Sequence, residues 1–377
     1  MNKQTIIVGT GISGSSIARL LAEQGQQVTI IDSKPHIGGN CYDYYDENGI
    51  CIHKYGTHIF HTDNKEVWDF VSRFTKWHPY MHKVLGLVDG QLVPIPFNLN
   101  SIHKVFPTSL ANRLEEKLIS RFGFNKKVPI LELRKTDDAD LNFLAEYIYQ
   151  KIFLIYTMKQ WGQKPEDIDP AVTGRVPVYI SKDNRYFQSR WQGIPDKGYT
   201  ALISEMLNHP NINVELNTKW MDVAPLYKDD TIFYSGAIDE LMDRKFGDLP
   251  YRSVNFDFRT YNQEFFQENS VVNYPENYDF TRIGEYKYFL NDKSNKTVVS
   301  YEYSEPYEYG KNEPYYPIKS DENLALYQKY LALAKEKYPN IHLLGRLGDY
   351  KYYDMDKAIE RAFALMATIN NQSNIKE

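Results

Sequence analysis

Three glycines near the amino terminus, Gly9, Gly11 and Gly14, have the spacing of a dinucleotide-binding turn, and Asp32 follows 18 residues after the last of them. In such a turn the first glycine permits a sharp bend, the second lets the backbone approach a pyrophosphate, and the third lets helix and strand pack closely. The amino terminus of the next helix offers N–H donors to the phosphates. A carboxylate at the end of the second strand can accept a hydrogen bond from a ribose hydroxyl. We therefore predict a bound dinucleotide.

The elements around these residues support this prediction. The mostly apolar residues 5–8 predict a buried strand, and the spacing of Ile17, Leu20 and Leu21 predicts a helix over 15–24. The apolar stretch 27–31 predicts a second strand, which ends in Asp32. A strand, helix and strand in this order imply a parallel sheet with right-handed crossovers.

The middle of the chain has two different patterns. From 101 to 163 apolar residues recur at helical spacing, which indicates a helical insertion. From 213 to 304 the chain is rich in Val, Phe, Tyr and Thr, with strand-like stretches at 252–258 and 297–303. This second region predicts a mixed or antiparallel sheet.

The carboxy-terminal region returns to the pattern of the first, with a predicted strand at 341–344, a turn at 345–348 and a helix from about 354. The fold class is therefore α/β: a Rossmann-like domain that is interrupted by the helical insertion and by the β-sheet domain. We predict a discontinuous cofactor domain, a helical domain and a β-sheet substrate domain, with these boundaries: 1–82 with 193–245 and 318–377; 98–192; and 83–97 with 246–317.

Composition excludes several classes of protein. The formal net charge of −5 lacks the basic surplus of a nucleic-acid-binding protein, and 42% hydrophobic with 25% charged residues indicates a globular chain. No apolar run approaches the ~18–20 residues of a membrane span, and the first residues lack the pattern of a signal peptide. Cys41 and Cys51 predict reduced thiols in the cytoplasm and no metal site.

Two further motifs favour FAD over NAD as the dinucleotide. Gly38, Gly39 and Asn40 follow Asp32 and resemble the second signature of FAD-binding proteins. The Gly345–Arg346 turn resembles the element that closes over the flavin in those folds.

Seven ordered motifs, from residue 5 to about 360, resemble those of bacterial UDP-galactopyranose mutases. They are HKYGTHIFHT (53–62), YTMKQWG (156–162), GRVPV (174–178), YF (186–187) ahead of QGIP (192–195), YDFTRI (278–283), EPYYP (313–317), and GRL (345–347) with YKYYDM (350–355). This resemblance implies a redox-neutral isomerase of cell-surface polysaccharide biosynthesis. In that reaction N5 of reduced FAD attacks the anomeric carbon of UDP-galactose and displaces UDP. The resemblance also implies a homodimer and an unidentified reductant.

The same resemblance implies roles for individual residues. Arg175 and Arg282 are expected to hold the diphosphate, which a guanidinium can bind bidentately while it stays charged, and His58 is expected to face the flavin. The other expected substrate contacts are His82, Tyr156, Thr157, Trp161, Tyr186, Asn273, Tyr316 and Tyr352. The other expected cofactor contacts are Ser13, Gly39, Asn40, Ile59, Arg346, Tyr353, Asp354 and Met355.

Several alternatives stay open. Asp354 is equally well explained as the N-cap of the last helix. His82 and Tyr179 stand where many family members carry other residues, so the substrate could be an N-acetylated UDP-sugar or a dTDP-6-deoxyhexose. A flavin amine oxidase and a non-catalytic nucleotide-sugar binder are the other two hypotheses. The segment 171–190, which carries Arg175 and Tyr186, is predicted to be a mobile lid.

Overall fold

The computed structural model describes residues 4–168, 174, 176–227 and 229–374, with side chains described up to residue 371. Within these residues the strands are, in chain order, β1 (Thr5–Val8), β2 (Val28–Ile31), β3 (Asp43–Tyr45), β4 (Cys51–His53), β5 (Phe60–Thr62), β6 (Trp77–Pro79), β7 (Val84–Val88), β8 (Gln91–Ile95), β9 (Lys127–Val128), β10 (Val178–Tyr179), β11 (Trp191–Pro195), β12 (Ile212–Glu215), β13 (Thr231–Tyr234), β14 (Tyr251–Tyr261), β15 (Val271–Asn273), β16 (Arg282–Glu285), β17 (Thr297–Pro306), β18 (Tyr316–Pro317) and β19 (Ile341–Leu343).

The α-helices within the same residues are α1 (Ile12–Glu23), α2 (Lys65–Ser72), α3 (Leu99–Val105), α4 (Thr108–Phe122), α5 (Ile130–Leu133), α6 (Ala139–Ile148), α7 (Ile155–Trp161), α8 (Tyr199–Leu207), α9 (Trp220–Val223), α10 (Ile238–Leu241), α11 (Lys287–Leu290), α12 (Asp321–Lys337), α13 (Gly345–Gly348) and α14 (Met355–Asn374). A π-helical turn, Tyr149–Leu154, joins α6 to α7. Short 3-10 turns lie at Gly39–Cys41 and Ala224–Leu226.

A five-stranded parallel sheet forms the base of the cofactor region, in the order β12-β2-β1-β13-β19. In its central strand β1 the two middle residues, Ile6 and Ile7, are fully buried, as expected for a strand covered on both faces. Helices α1 and α14 pack against each other beside this sheet through fully buried residues such as Ile17 and Ile359. The predicted strand–helix–strand unit and the Rossmann-like fold class are therefore confirmed.

A seven-stranded sheet, in the order β18-β14-β17-β16-β15-β7-β8, forms the second layer. It is antiparallel except for the β15–β7 pair, which is parallel. Its register places Arg282 opposite Asn273 on one side and opposite Glu302 on the other. This sheet therefore supplies two predicted substrate residues from neighbouring strands.

Three sequence predictions differ from the structure in their limits. Helix α1 begins at Ile12 rather than at residue 15, because Gly11 has the extended backbone of an N-cap. Strands β12 and β13 begin the region 213–304 whose composition predicts the second sheet, yet they pair with β2 and β1 of the parallel sheet, within the stretch 193–245 that we predicted for the cofactor domain. The turn at 345–348 is one helical turn, α13.

The predicted helical insertion corresponds to α3 to α7, whose inward faces bury residues such as Leu114, Leu118 and Leu144. The strand β9 interrupts it and pairs with β10. The domain boundaries stay a prediction. Among the described residues no helix combines the length and the apolar character that a membrane crossing requires.

Candidate cofactor and substrate site

The glycine turn after β1 has the close contacts that its sequence predicted. Gly9 has a φ of 100°, and its N–H donates to Ile31 O at 2.8 Å. A Cβ on Gly14 would lie 1.9 Å from Gly9 O, so helix α1 can approach the turn only because residue 14 is glycine.

The amino terminus of α1 faces a cleft of about 830 Å³ that Gly9, Gly11 and Ser13 help to line. The N-cap residue is Gly11, which has no side chain that could cap the first turn. The N–H groups of that turn are therefore available to an anion, as a pyrophosphate site requires.

Asp32 lines the same cleft, yet it already has partners within the chain. One carboxylate oxygen accepts from Thr10 N at 2.8 Å and from Thr10 Oγ1 at 2.7 Å, and the other accepts from Lys34 N at 3.0 Å. Asp32 therefore holds the glycine turn closed. Because each carboxylate oxygen can accept a further bond, the ribose contact stays a prediction.

The second glycine signature packs directly on the first. Gly38 and Gly39 have φ values of 99° and 53°, and a Cβ on Gly39 would lie 3.0 Å from Gly11 Cα. Gly39 and the adjacent Asn40 both line the cleft. The close contact with the first segment, together with its positive φ, explains why position 39 needs a residue without a side chain.

The carboxy-terminal motif lines the same cleft. Arg346 Nε and Nη2 donate to Tyr353 O at 3.1 and 2.8 Å, so the guanidinium fixes the segment that leads into α14. Tyr353, Asp354 and Met355 line the cleft together with Arg346 and His58. Of the predicted cofactor residues, Gly14 and Ile59 lie outside this lining, Gly14 in the helix contact and Ile59 against the main core.

The ring of His58 is held by a hydrogen bond to the backbone. Its Nδ1 lies 2.7 Å from Gly56 O, which can only accept, so Nδ1 carries the proton and Nε2 has a free lone pair. Burial lowers the pKa of His58 to about 3, so the ring stays uncharged at working pH.

Asp43, Cys51 and His53 offer ligand atoms within 4.8 Å of one another behind His58. His53 Nδ1 accepts from His58 N at 3.1 Å, so its Nε2 carries the proton and is no ligand for a metal. Asp43 accepts instead from Tyr199 N and Thr200 N and caps helix α8. These hydrogen bonds give His53 and Asp43 structural roles.

Arg282 is the charged centre of the predicted substrate site. Its Nε donates to Glu302 at 2.5 Å, and the Glu302 side chain is almost fully buried. Burial alone would lower the pKa of Arg282, but Glu302 and two nearby tyrosines, Tyr156 and Tyr316, raise it, so the guanidinium stays charged. Sequence reasoning missed Glu302. Its one signal is an acidic residue between two tyrosines in a predicted strand.

An aromatic wall continues from Tyr316, which lies near Arg282. The rings of Trp161, Tyr316 and Tyr352 form a triangle with centroids 5.1 to 5.8 Å apart, and the Arg346 guanidinium lies over Tyr316 and Tyr352. This wall joins the substrate residues to the cofactor cleft through Arg346.

Tyr186 and His82 form the next part of the site. Their rings lie 5.6 Å apart, and Tyr186 N donates to His82 O at 2.7 Å. His82 is 4% exposed, and within the described residues its Nδ1 has no hydrogen-bond partner. Burial lowers the pKa of His82 to about 3, so the site presents a neutral imidazole.

The remaining predicted residues occupy different environments. Thr157 is buried on α7, and Asn273 is half-buried at the end of β15, opposite Arg282. Arg175 lies outside the described residues, as do 171–173 of the predicted lid. Arg252 was missed by sequence reasoning; it donates from β14 to Lys159 O and Gln160 O at the end of α7.

The fold and the glycine-lined cleft define a Rossmann-like dinucleotide-binding protein, and comparison with known proteins agrees. A model of a Rossmann-like NAD(P)-binding domain matches residues 7–74. The family model for UDP-galactopyranose mutase matches residues 151–352, more than half of the chain.

Two relatives and one solved structure specify the family further. A probable UDP-galactopyranose mutase of Klebsiella pneumoniae is 38% identical over 99% of this chain and 97% of its own length. The dTDP-fucopyranose mutase of Escherichia coli is 40% identical over 96% of this chain and 97% of its own. The crystal structure of a reduced UDP-galactopyranose mutase shares the fold, with a TM-score of 0.70 at 15% identity over 99% of this chain and 94% of that one. The chain belongs to the UDP-galactopyranose mutase family of isomerases.

Proposed function

We propose that this protein interconverts the six-membered and five-membered ring forms of UDP-galactose with the help of reduced FAD. The observation that carries the proposal is Arg282, which is held charged beside an aromatic wall that continues into the cofactor cleft. A half-buried cation that is paired on one side only can neutralise a diphosphate leaving group.

The cleft fits FAD on its own geometry. The uncapped start of α1 suits the pyrophosphate, and the contact between Gly11 and Gly39 leaves a backbone surface that a dinucleotide can approach closely. A reduced flavin bound there would supply the nucleophile for a ring isomerisation without net redox change. The neutral ring of His58 also lines this cleft, where it can lie against the flavin.

The residues of the chain bind and orient the substrate. We assign the diphosphate to Arg282 and to Arg175, the uracil to the face of Trp161, and hydrogen bonds from phosphate oxygens to Tyr186, Tyr316 and Tyr352. The buried Glu302 fixes the Arg282 guanidinium through its Nε, which leaves the terminal nitrogens for the substrate.

A dTDP-linked 6-deoxyhexose is the second candidate substrate, because the Escherichia coli relative that acts on dTDP-fucopyranose is as similar as the UDP-galactopyranose mutases. His82, whose ring lies 5.6 Å from that of Tyr186, is the residue whose replacement tests the choice between these two sugars. An N-acetylated UDP-sugar stays a third substrate to be tested.

The experiment is a comparison of kcat/KM for the furanose forms of UDP-galactose, dTDP-fucose and UDP-N-acetylgalactosamine with reduced enzyme. We expect UDP-galactofuranose to be the best substrate by at least tenfold. In the His82→Asn variant we expect a smaller ratio of kcat/KM for UDP-galactofuranose to kcat/KM for dTDP-fucofuranose. A higher kcat/KM for dTDP-fucofuranose would move the assignment to that sugar.

Further features belong to the same proposal. We propose a cytoplasmic homodimer with a separate reductant, and three domains with the boundaries predicted above. We also propose that 171–190 closes over the substrate and brings Arg175 to the diphosphate. Protease sensitivity of this segment with and without UDP tests the closure.

A further inference from the structure

Lys159, two residues before Trp161 of the aromatic wall, makes an unusual set of contacts. Its Nζ lies 2.6 Å from Tyr274 O, 3.0 Å from Glu276 O, 3.1 Å from Tyr278 O and 3.1 Å from Phe280 O. These four carbonyls alternate along the segment between β15 and β16, which we call the 274–281 segment. Within the described residues Lys159 forms no ion pair, and its hydrogen bonds all go to backbone oxygens.

Such a contact is a strong structural restraint. An ammonium has three protons, and here they are shared among four carbonyl oxygens that all point at one centre. A half-buried ammonium without these acceptors would be unfavourable, and the carbonyls would equally lose their partner. Burial lowers the pKa of Lys159 to about 8, and the nearby Asp279 opposes that shift.

The restraint connects the two halves of the proposed substrate site. Lys159 lies on α7 between Tyr156 and Trp161, whereas the 274–281 segment lies between Asn273 and Arg282. Arg252 holds the other side of the same helix turn, since it donates to Gln160 O and Lys159 O. The distance between the aromatic wall and Arg282 therefore depends on the contact of the Lys159 ammonium with the carbonyl oxygens of the 274–281 segment.

We propose that Lys159 is a positioning residue for nucleotide binding. Through its four carbonyl contacts it sets the distance between Trp161 of the aromatic wall and Arg282. This inference rests on the proposed function. Without the ammonium the 274–281 segment would keep its converging carbonyls and could bind another small ammonium in its place. The missing atoms in Lys159→Ala correspond to n-propylammonium.

The test measures UDP affinity by calorimetry, with the FAD content and kcat/KM of each variant. In Lys159→Ala we expect a Kd for UDP that is raised roughly 10- to 100-fold, as a misplacement of about 1 Å produces, with unchanged FAD content. Added n-propylammonium should recover roughly tenfold in affinity, whereas 1-propanol, which has no charge, should recover none.

Two variants control the test. Lys159→Met keeps most of the aliphatic side chain without the charge, so its affinity for UDP should fall by the same factor. Added n-propylammonium should not restore it, because the methionine side chain fills the space that the lysine stem occupied. Lys104→Ala removes a lysine that contacts one carbonyl, Leu92 O, and should leave both Kd and KM unchanged.

The proposal is overturned if either Lys159 variant binds UDP within twofold of the wild type, or if n-propylammonium fails to restore Lys159→Ala. A loss of UDP affinity together with a loss of bound FAD would likewise overturn it, because the role of Lys159 would then be only to stabilise the fold. Failure of the wild-type protein to bind UDP would contradict the proposed function instead.

Discussion

Gly14→Ala should separate helix α1 from the cofactor turn. The new Cβ would lie 1.9 Å from Gly9 O, where real Cβ atoms essentially never come closer than 3.0 Å, so the helix or the turn must move by about 1 Å. The obstacle is backbone, which cannot rotate away as a side chain can. The movement would also loosen the contacts of Ile17 and Leu21 in the core. We expect a loss of about 3 kcal/mol in the free energy of unfolding, and loss of bound flavin.

Gly25→Ala is the matched control. Gly25 also has no Cβ and has a φ of 84°, but a Cβ there would meet no atom within 4 Å. Backbone strain alone should lower its stability by about 1 kcal/mol. Urea unfolding and the ratio of flavin to protein absorbance measure both effects. If Gly14→Ala were as stable as Gly25→Ala and kept its flavin, the close approach of helix and turn would be wrong.

Three further substitutions test the site and its support. Arg282→Lys keeps the charge but loses the planar fork, so kcat/KM should fall roughly 10²- to 10³-fold with unchanged FAD content; normal kinetics would refute the diphosphate assignment. Because the folded-state pKa of His82 is about 3, its contribution to stability is complete above pH 6.5 and declines as the pH falls from 6.5 towards 3, where only the unfolded chain takes up the proton. The stability difference between wild type and His82→Asn should therefore change by about 1.4 kcal/mol per pH unit in urea titrations between pH 6.5 and 4, and a constant difference would contradict the buried, neutral ring. Asp43→Ala removes the carboxylate that accepts from Tyr199 N and Thr200 N, so the free energy of unfolding should fall by about 2–3 kcal/mol in the same assay; a loss below about 0.5 kcal/mol would contradict the cap.

The parts of the fold that sequence predicted are those with local signals. The glycine spacing and apolar strand identified β1, α1 and β2, and helical periodicity identified α4 and α6. The composition of 213–304 did not distinguish β12 and β13 from the second sheet, because each is four residues long and its partners, β2 and β1, lie some 200 residues away. Pairing over such a distance leaves no local pattern.

The site shows the same division. Sequence pointed to Arg282, but its partner Glu302 depends on the register of β16 and β17, which only the folded sheet defines. The contacts of Lys159 are harder still to predict, because backbone carbonyls carry no side-chain signal. Asp32 had a clear pattern for ribose binding, yet the structure adds a second role in holding Thr10.

The most direct test of the central claim is turnover of UDP-galactofuranose by the purified, flavin-loaded protein without oxygen, with and without dithionite. Product is separated by chromatography, and the oxidation state of the flavin is followed by its absorbance. We expect UDP-galactopyranose only from the reduced protein, with the flavin still reduced after many turnovers. Equal conversion by the oxidised protein, or an oxidised sugar or amine product with loss of flavin electrons, would contradict a redox-neutral mutase.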